Sequence, residues 1–494
     1  RRDGYESRFQ RLSDLLEKSS VRRCYRYQIM CGIIGGFDLP QIEQGLKAIA
    51  HRGPDNQAII QTDNVYFGHV RLSIIDTSSD SNQPFKYGNT TMVFNGTIWN
   101  YQELRTRLNI DTRTSGDTEV LCAILDRYGI SGLNMVEGMF AIAYTQGDGS
   151  ITIVRDRHGE VPLHYSLLDG LFPSFSFSSE IKGLLAMGES GQTVKMLEPG
   201  AYIKVTSDYK VKEGIWYNVR KHIKETDNWN FSDSKASVHR DIVMGSYERT
   251  VSDVPVACLL SGGIDSAITT LVASQHIPNL VTYTAVHNEN SKDLKSAREV
   301  AKYLGVELRE VKVKPPSVDD INDVINTIEM PYKAQVEIGY PCIQLAQRIH
   351  EDGFKVIMSG EGSDELWASY GMSYHGIKDK GWTDYRIGLF GSQHRKNFSR
   401  CNKIFMRYGI ECRLPFLNTQ LVETALGLRQ DLVWDGKSRP KAVLQEAFRG
   451  LLPDDIIDRK KVAFQDGMGI KSLYEDVVET PKTYYTTQYK NTFA

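Results

Sequence analysis

"QIMCGIIGGFD", residues 28–38, puts Cys31 directly after a Met and at the head of an apolar, glycine-rich strand. A cysteine in such a place is usually a small hydrophobe. Its position after Met30 changes that reading. Loss of an initiator Met, which a small second residue permits, leaves Cys31 with a free α-amino group. That amine can act as general base for its own thiol, so one residue supplies nucleophile and base. Residues 1–30, rich in Arg, Glu and Ser and without the apolar core of a secretory signal, are expected to be an upstream extension or propeptide, with Met30 the true start.

Polar company for the thiol follows in short motifs. "HRGPD" (51–55) and "RLSIID" (71–76) offer Arg71 for a substrate carboxylate. "FNGTIWN" (94–100) offers the Asn95 side chain and the Gly96 N–H as oxyanion donors, and "SGDTEV" (115–120) offers Asp117 for a substrate ammonium. Each motif alone also reads as a turn or a surface charge. From about 31 to 205 short alternating apolar runs such as "TMVFNG" and "SITIVRD" predict a β-rich region with helices packed on its sheets, one of them over 117–129.

The rest of the composition is that of a globular protein of two or three domains: 494 residues, 41% hydrophobic, 24% charged, net charge −2. That charge gives no global attraction to nucleic acid or to anionic membrane, and no apolar run reaches bilayer length. Seven cysteines are scattered without a CxxC pair, against a disulfide framework or zinc ribbon. The expected compartment is the cytoplasm.

Beyond a polar stretch near 218–238 the texture changes. Buried-type strands ("VPVACLL", "LVTYTAV", "FKVIMSG") alternate with helical patterns, predicting a parallel sheet flanked by helices, and from about 365 the chain reads as mostly helical. "VACLLSGGIDSAITTLVASQ" is strand, glycine turn and helix in sequence. Gly262 and Gly263 let backbone N–H groups converge on an anion at the N-terminus of a helix beginning near Asp265. No Lys follows the glycines, so this is not a Walker A loop. "VIMSGEGSDELWASY" repeats the arrangement after another buried strand, and two such loops at the carboxyl ends of parallel strands face one crevice. Asp265 and Asp364 then hold Mg²⁺ bridging the phosphates of ATP.

Together these motifs resemble the glutamine-hydrolysing asparagine synthetase family from Cys31 to about Gly469, with "HRGPD", "RLSIID", "SGDTEV", "LLSGGIDSA", "SGEGSDEL", "YGIECRLPFLN" and "RKKVAFQDGMG" in the family's order. The resemblance implies an α/β protein with an α+β first part. Residues 31–210 form an αββα sandwich of the N-terminal-nucleophile type, a class II glutamine amidotransferase domain. Residues 211–235 are a linker, and 236–494 form a parallel-sheet ATP-pyrophosphatase-type synthetase domain with a helical end. It also implies roles. Cys31 attacks the glutamine amide. Arg71 with the Leu72, Ser73, Ile74 and Ile75 backbone holds the α-carboxylate, Asn95 and Gly96 form the oxyanion hole, and Asp117 takes the α-amino group. Leu260, Val286, Ser359 and Gly360 surround the ATP base and sugar; Ser261, Gly262, Gly263, Asp265 and Ser266 bind the pyrophosphate. Asp265 and Asp364 ligate magnesium, Glu361 assists acyl-adenylate formation, and Lys461 stabilises charge on the phosphates or the intermediate. An internal tunnel carries ammonia to the adenylate. The implied partners are small molecules, with a homodimer as the candidate assembly.

Two departures bear on substrate. Thr97 stands where the family carries Glu in "NGEIYN", a residue that helps bind the glutamine ammonium. "MPYKAQVEIGYPC" (330–342) replaces a segment near "YDVTTIRAS", putting Ala334, Gln335 and Glu337 where Thr, Thr and Arg are associated with the acceptor end. Aspartate is the default acceptor. Amidation or cyclisation of another acid, as in β-lactam synthetase relatives, is the alternative; a degenerate binding protein is a third reading, opposed by intact Cys31, Asp265, Asp364 and Lys461.

Overall fold

Short strands buried on both faces build two six-stranded sheets from the first part of the chain. The computed structural model describes residues 31–494 except 54, 63, 370–376, 378–379, 435–440, 460–473 and 475. The expectations for residues 1–30 and for Lys461 therefore lie outside the described residues. The strands of this part are β1 (Gly32–Phe37), β2 (Asn56–Thr62), β3 (Val65–Arg71), β4 (Phe85–Tyr87), β5 (Thr90–Ile98), β6 (Gly138–Thr145), β7 (Ile151–Arg155), β8 (His164–Leu168), β9 (Ser174–Ser178), β10 (Lys195–Met196), β11 (Ala201–Val205) and β12 (Val211–Ile215). One sheet has the order β10-β8-β9-β1-β3-β2 and the other β12-β11-β7-β6-β5-β4, with antiparallel pairing throughout.

The faces that meet bury Ile33, Phe67, Val93, Ala141, Ile153 and Phe177 in one apolar cluster. On the far side of the first sheet, Ile34 and Val70 pack on Leu46 and Leu184 from the helices Ile42–Ala48 and Ile181–Ala186. On the far side of the second, Phe94 and Ile142 pack on Val120 and Ile124 from the helix Asp117–Tyr128. The result is the expected αββα sandwich, with the expected helix ending one residue short of 129. It runs past residue 210. Residues 211–215, read as the start of a linker, pair with β11 as the exposed edge strand β12, and the helix Phe231–Glu248 begins inside the expected linker. "VKEGI" buries no residue fully, so its strand character shows only in the pairing; Lys212 and Glu213 are the charges expected on an edge.

The second part is built on β13 (Val256–Leu259), β14 (Val281–Val286), β15 (Glu307–Lys312), β16 (Val356–Met358) and β17 (Glu411–Arg413), all parallel, in the order β15-β14-β13-β16-β17. The chain first moves outward from β13 and then returns to the other side of it. The order therefore reverses between β13 and β16, which is where ligands bind in open parallel sheets. The expected helical end holds the helices Trp382–Gly391, Asn397–Arg407 and Thr419–Gly427, but β17 interrupts it. Three residues reading "ECR" are too few to display a period. Among the described residues no helix is long and apolar enough to cross a membrane, and all six described cysteines are free.

Candidate active sites

Cys31 lies one residue before β1. Because Gly32 pairs with Val70, the thiol falls beside the point where the chain leaves β3. Leu72 N–H donates to Cys31 Sγ at 3.4 Å, and Sγ lies 3.5 Å from the Leu72 carbonyl. Burial pushes the Cys31 thiol up to about 12, only partly offset by the Leu72 N–H and the Arg71 charge. A thiol so held is protonated at neutral pH and needs a base at hand.

The cavity at Cys31 measures about 30 Å³, room for roughly one water. Its walls include Arg71, Leu72, Ile74, Ile75, Gly96, Thr97 and Asp117, so most of the glutamine-binding set expected from sequence comes together. Arg71 is fixed by three acceptors: the carbonyls of Ser78 and Asp76, both at 2.5 Å, and Asn82 Oδ1 at 2.6 Å. Asp117 opens its helix and accepts the Ile98 N–H at 2.9 Å. Burial raises its carboxyl to about 7, and the charge of Glu411 adds to the rise.

Gly96 has φ +148°, and a Cβ there would lie 2.0 Å from the Met139 carbonyl, so only glycine lets β5 run this close to β6. Asn95 and Ser73 do not line the cavity. Asn95 is fully buried with Nδ2 3.5 Å from Ser179 Oγ and Oδ1 without a partner; Ser73 donates its N–H to Asp55 at 3.2 Å. Sequence reasoning missed four wall residues: Gln83, Phe94, Thr118 and, from the other half of the molecule, Glu411.

The second site forms where the two glycine loops leave β13 and β16. Gly262 has φ +77°, and a Cβ on it would stand 2.5 Å from the Asp293 carbonyl. Ser266 stitches the loop, receiving the Ser261 N–H at 3.1 Å and donating to the Gly263 carbonyl at 3.0 Å. Leu260 and Val286 are buried, the former donating its N–H to the Tyr283 carbonyl at 2.9 Å. Ser359 N–H reaches the Arg413 carbonyl at 3.0 Å, which ties the second loop to β17, and Gly360 follows it.

The two acids expected to hold metal do converge. Lys441 Nζ lies 2.7 Å from both oxygens of Asp265 and 2.7 Å from Asp364, and Ser363 Oγ donates to Asp265 at 2.6 Å. A lysine therefore stands where both carboxylates hold one cation. Lys441 was not foreseen; a lone Lys in "RPKAVLQ" carries no local signal. Among the described residues no cluster of three or more metal-ligating side chains occurs. Two carboxylates completed by phosphate oxygens are nonetheless the usual donor set for Mg²⁺.

Glu361 is bound by Arg400 at 2.6 Å. The same buried guanidinium donates to Gln335 at 2.6 Å and to Asn397 at 3.0 Å. Gln335 and the buried Glu337 lie on the helix Lys333–Glu351, with Lys333 Nζ 3.6 Å from Glu337. The charge reversal read at 337 is thus accompanied by a cation from the helix Asn397–Arg407, at a place the sequence did not indicate.

The sites occupy opposite ends of one sheet. Glu411 opens β17 at the cavity end, while the glycine loops follow the carboxyl ends of β13 and β16. Between them Cys31, Leu72, Ile74, Val256, Cys258, Val356, Met358 and Met406 form one apolar layer.

Comparison with known proteins places both halves. A family model described as a glutamine amidotransferase domain matches residues 30–240, and one described as asparagine synthase matches 240–400 and 389–481. The chain is 30% identical over 478 residues to the glutamine-hydrolyzing asparagine synthetase of Sandersonia aurantiaca, covering 89% of this chain and 87% of that one. It is 30% identical over 482 residues to glutamine-hydrolyzing asparagine synthetase 3 of Arabidopsis thaliana, covering 89% and 79%. Asparagine synthetase B, glutamine-hydrolyzing, of Escherichia coli K12 is 29% identical over 468 residues, covering 89% and 83%.

Proposed function

Since the chain belongs to the glutamine-hydrolysing asparagine synthetase family, amide-forming ligases that use ATP, we propose that it moves nitrogen from glutamine at Cys31 to an adenylated carboxylate at the glycine loops. The observation that carries this reading is the Cys31 cavity, with a fixed guanidinium and an acid among its walls, on one side of an apolar layer and the paired loops on the other.

In this mechanism the α-amino group of Cys31 takes the thiol proton and Sγ attacks the glutamine amide carbon. Arg71 holds the α-carboxylate and Asp117 the α-ammonium. The oxyanion falls to Gly96 N–H and Asn95 Nδ2; the latter turns from a long contact with Ser179 to serve. Ammonia leaves, and water releases glutamate from the thioester. At the loops an acceptor carboxylate oxygen attacks the α-phosphorus of ATP, pyrophosphate departs, and ammonia displaces AMP from the acyl carbon. Mg²⁺ would sit with Asp265 and Asp364 and supply neutralising charge for the phosphates. Lys441 and the N-terminus of the helix Ile264–His276 place positive charge at the same spot, and Lys461 is assigned the same task. The apolar layer is the route we assign to ammonia, because a dry path keeps it unprotonated and nucleophilic.

Aspartate is the acceptor we assign by default, in the cytoplasm. Glu337, read from the sequence as standing at the acceptor end and buried in the structure, favours a second reading, amidation of an acid bearing a neutral or cationic group. The test is pyrophosphate release by the full chain beginning at Cys31, with a panel of carboxylic acids. Release that depends on both glutamine and one acid is expected; AMP formation without acceptor dependence overturns the reading. Intact mass spectrometry of the cell-expressed protein reads the first residue.

A further inference from the structure

An α-amino acid bound as a zwitterion presents an ammonium with three N–H donors, and one carboxylate already engaged with the backbone rarely satisfies all three. In the Cys31 cavity Asp117 is so engaged, through the Ile98 N–H. Among the described residues that line the cavity there is one other acid. Glu411 is 1% exposed and comes from β17, 314 positions away from the nearest cavity residue it touches. That residue is Thr97, whose hydroxyl lies 3.1 and 3.0 Å from the two Glu411 oxygens. From behind, Arg413 Nε donates to Glu411 at 2.5 Å, and Arg413 is itself held by the carbonyls of Arg249 and Val251, each at 2.7 Å, and by the Trp99 ring at 4.9 Å. The carboxylate is thus aimed into the cavity and locked there.

A plain structural ion pair between Glu411 and Arg413 accounts for neither the Thr97 contact nor the place in the cavity wall. The charge of Glu411 adds to the burial that raises the Asp117 carboxyl, and a cation bound between the two acids relieves that repulsion. We propose that Glu411 is a glutamine-binding residue: its carboxylate, oriented by the Thr97 hydroxyl, shares the substrate α-ammonium with Asp117. This rests on the amidotransferase reading above. It also makes the glutamine pocket complete only when the synthetase sheet is docked on the sandwich.

The test compares glutamine with 5-amino-5-oxopentanoate, the same amide without the α-amino group, using the chain that begins at Cys31 and measuring ammonia release. Glu411→Gln is expected to lower kcat/KM for glutamine by about 10- to 100-fold, the worth of one charge-assisted hydrogen bond, and to leave the des-amino amide within about threefold. Glu411→Asp, which keeps the charge, recovers part of the discrimination. Equal losses on both amides overturn the proposal in favour of a purely structural pair. Should Glu411→Gln not fold, Thr97→Val is read the same way: a loss confined to glutamine supports the proposal, and an equal loss overturns it. A parent chain that releases no ammonia from glutamine defeats the amidotransferase reading itself, a result distinct from a parent that works and does not discriminate.

Discussion

In the Cys31 cavity the charged groups are already tied to protein partners: Arg71 to three oxygens, Asp117 to a backbone N–H, Glu411 to Arg413 and Thr97. At the glycine loops the two acids meet at one lysine ammonium, with Ser363 also donating to Asp265 and Ser369 to Asp364; that ammonium is a flexible point charge that can yield to or join an incoming cation. Under the proposed function, charged groups held in place at the Cys31 cavity match the shape of one small zwitterion. A site that admits a bulky polyanion and releases pyrophosphate needs charges that can rearrange. The two ends of the sheet are therefore expected to fail separately.

The largest separation comes from the nucleophile. Cys31→Ala is expected to cut glutamate release by at least about 10³-fold while synthesis from added ammonium persists. If ammonium-driven synthesis falls equally, the two sites are not independent in the way their geometry implies. Asp265→Asn reverses the pattern. Pyrophosphate release falls by roughly 10²-fold with either nitrogen source, and glutaminase turnover continues, because only the loop end has lost its charge.

How far the chain could be read in advance follows the same division. Cys31, Arg71, Asp117 and the glycine loops sit in short runs where neighbouring residues announce the turn, strand or helix that carries them. The sandwich was legible too, because its strands are short apolar runs set off by Gly, Asn and Asp and its helix at 117 has a wide apolar face. What escaped notice arrives from far along the chain as single residues: Lys441 lies 176 positions from Asp265, and Glu411 lies 314 from Thr97. Nothing local marks a lone Lys or Glu as a wall of a distant pocket. Strand β17 was missed for a related reason, since three residues have no period and their strand character comes from pairing with β16. The edge strand β12 escaped because charges sit where alternation is sought.

The cavity end also carries a pH signature. Burial, reinforced by Glu411, holds Asp117 at about 7 against its ordinary 3.8. The folded chain then keeps a proton that the unfolded chain releases. The stability from this group is full below about pH 4 and is lost as the pH rises through about 7. The ammonium of glutamine favours the ionised carboxylate, so KM for glutamine is expected to fall by about tenfold between pH 6 and pH 8, as one proton leaves. Asp117→Asn gives a KM that is high and flat over that range. A parent KM that rises with pH removes Asp117 from the ammonium site.

The smallest expected effect concerns the join between the two regions. Arg52 is fully buried and touches both: its Nε donates to the Cys31 carbonyl at 3.3 Å, one amino group pairs with Glu180 at 2.5 Å, and the other donates to Asn402 of the helix Asn397–Arg407 at 2.9 Å. Glu180 also pairs with Lys182 at 2.8 Å, and Glu329, from the synthetase side, pairs with Lys403 at 2.5 Å. Asn402→Ala takes one hydrogen bond from this buried chain of charges and leaves the others. A lost bond to a charged donor costs about 1–3 kcal/mol, read as a lower thermal midpoint. Because Arg52 also holds the residue that bears the thiol, loosening its synthetase end is expected to lower the yield of amide per glutamate released by about twofold, within the reach of such an energy. An unchanged yield with a lowered midpoint assigns Arg52 to stability alone, and the separation between the two ends of the sheet is then complete.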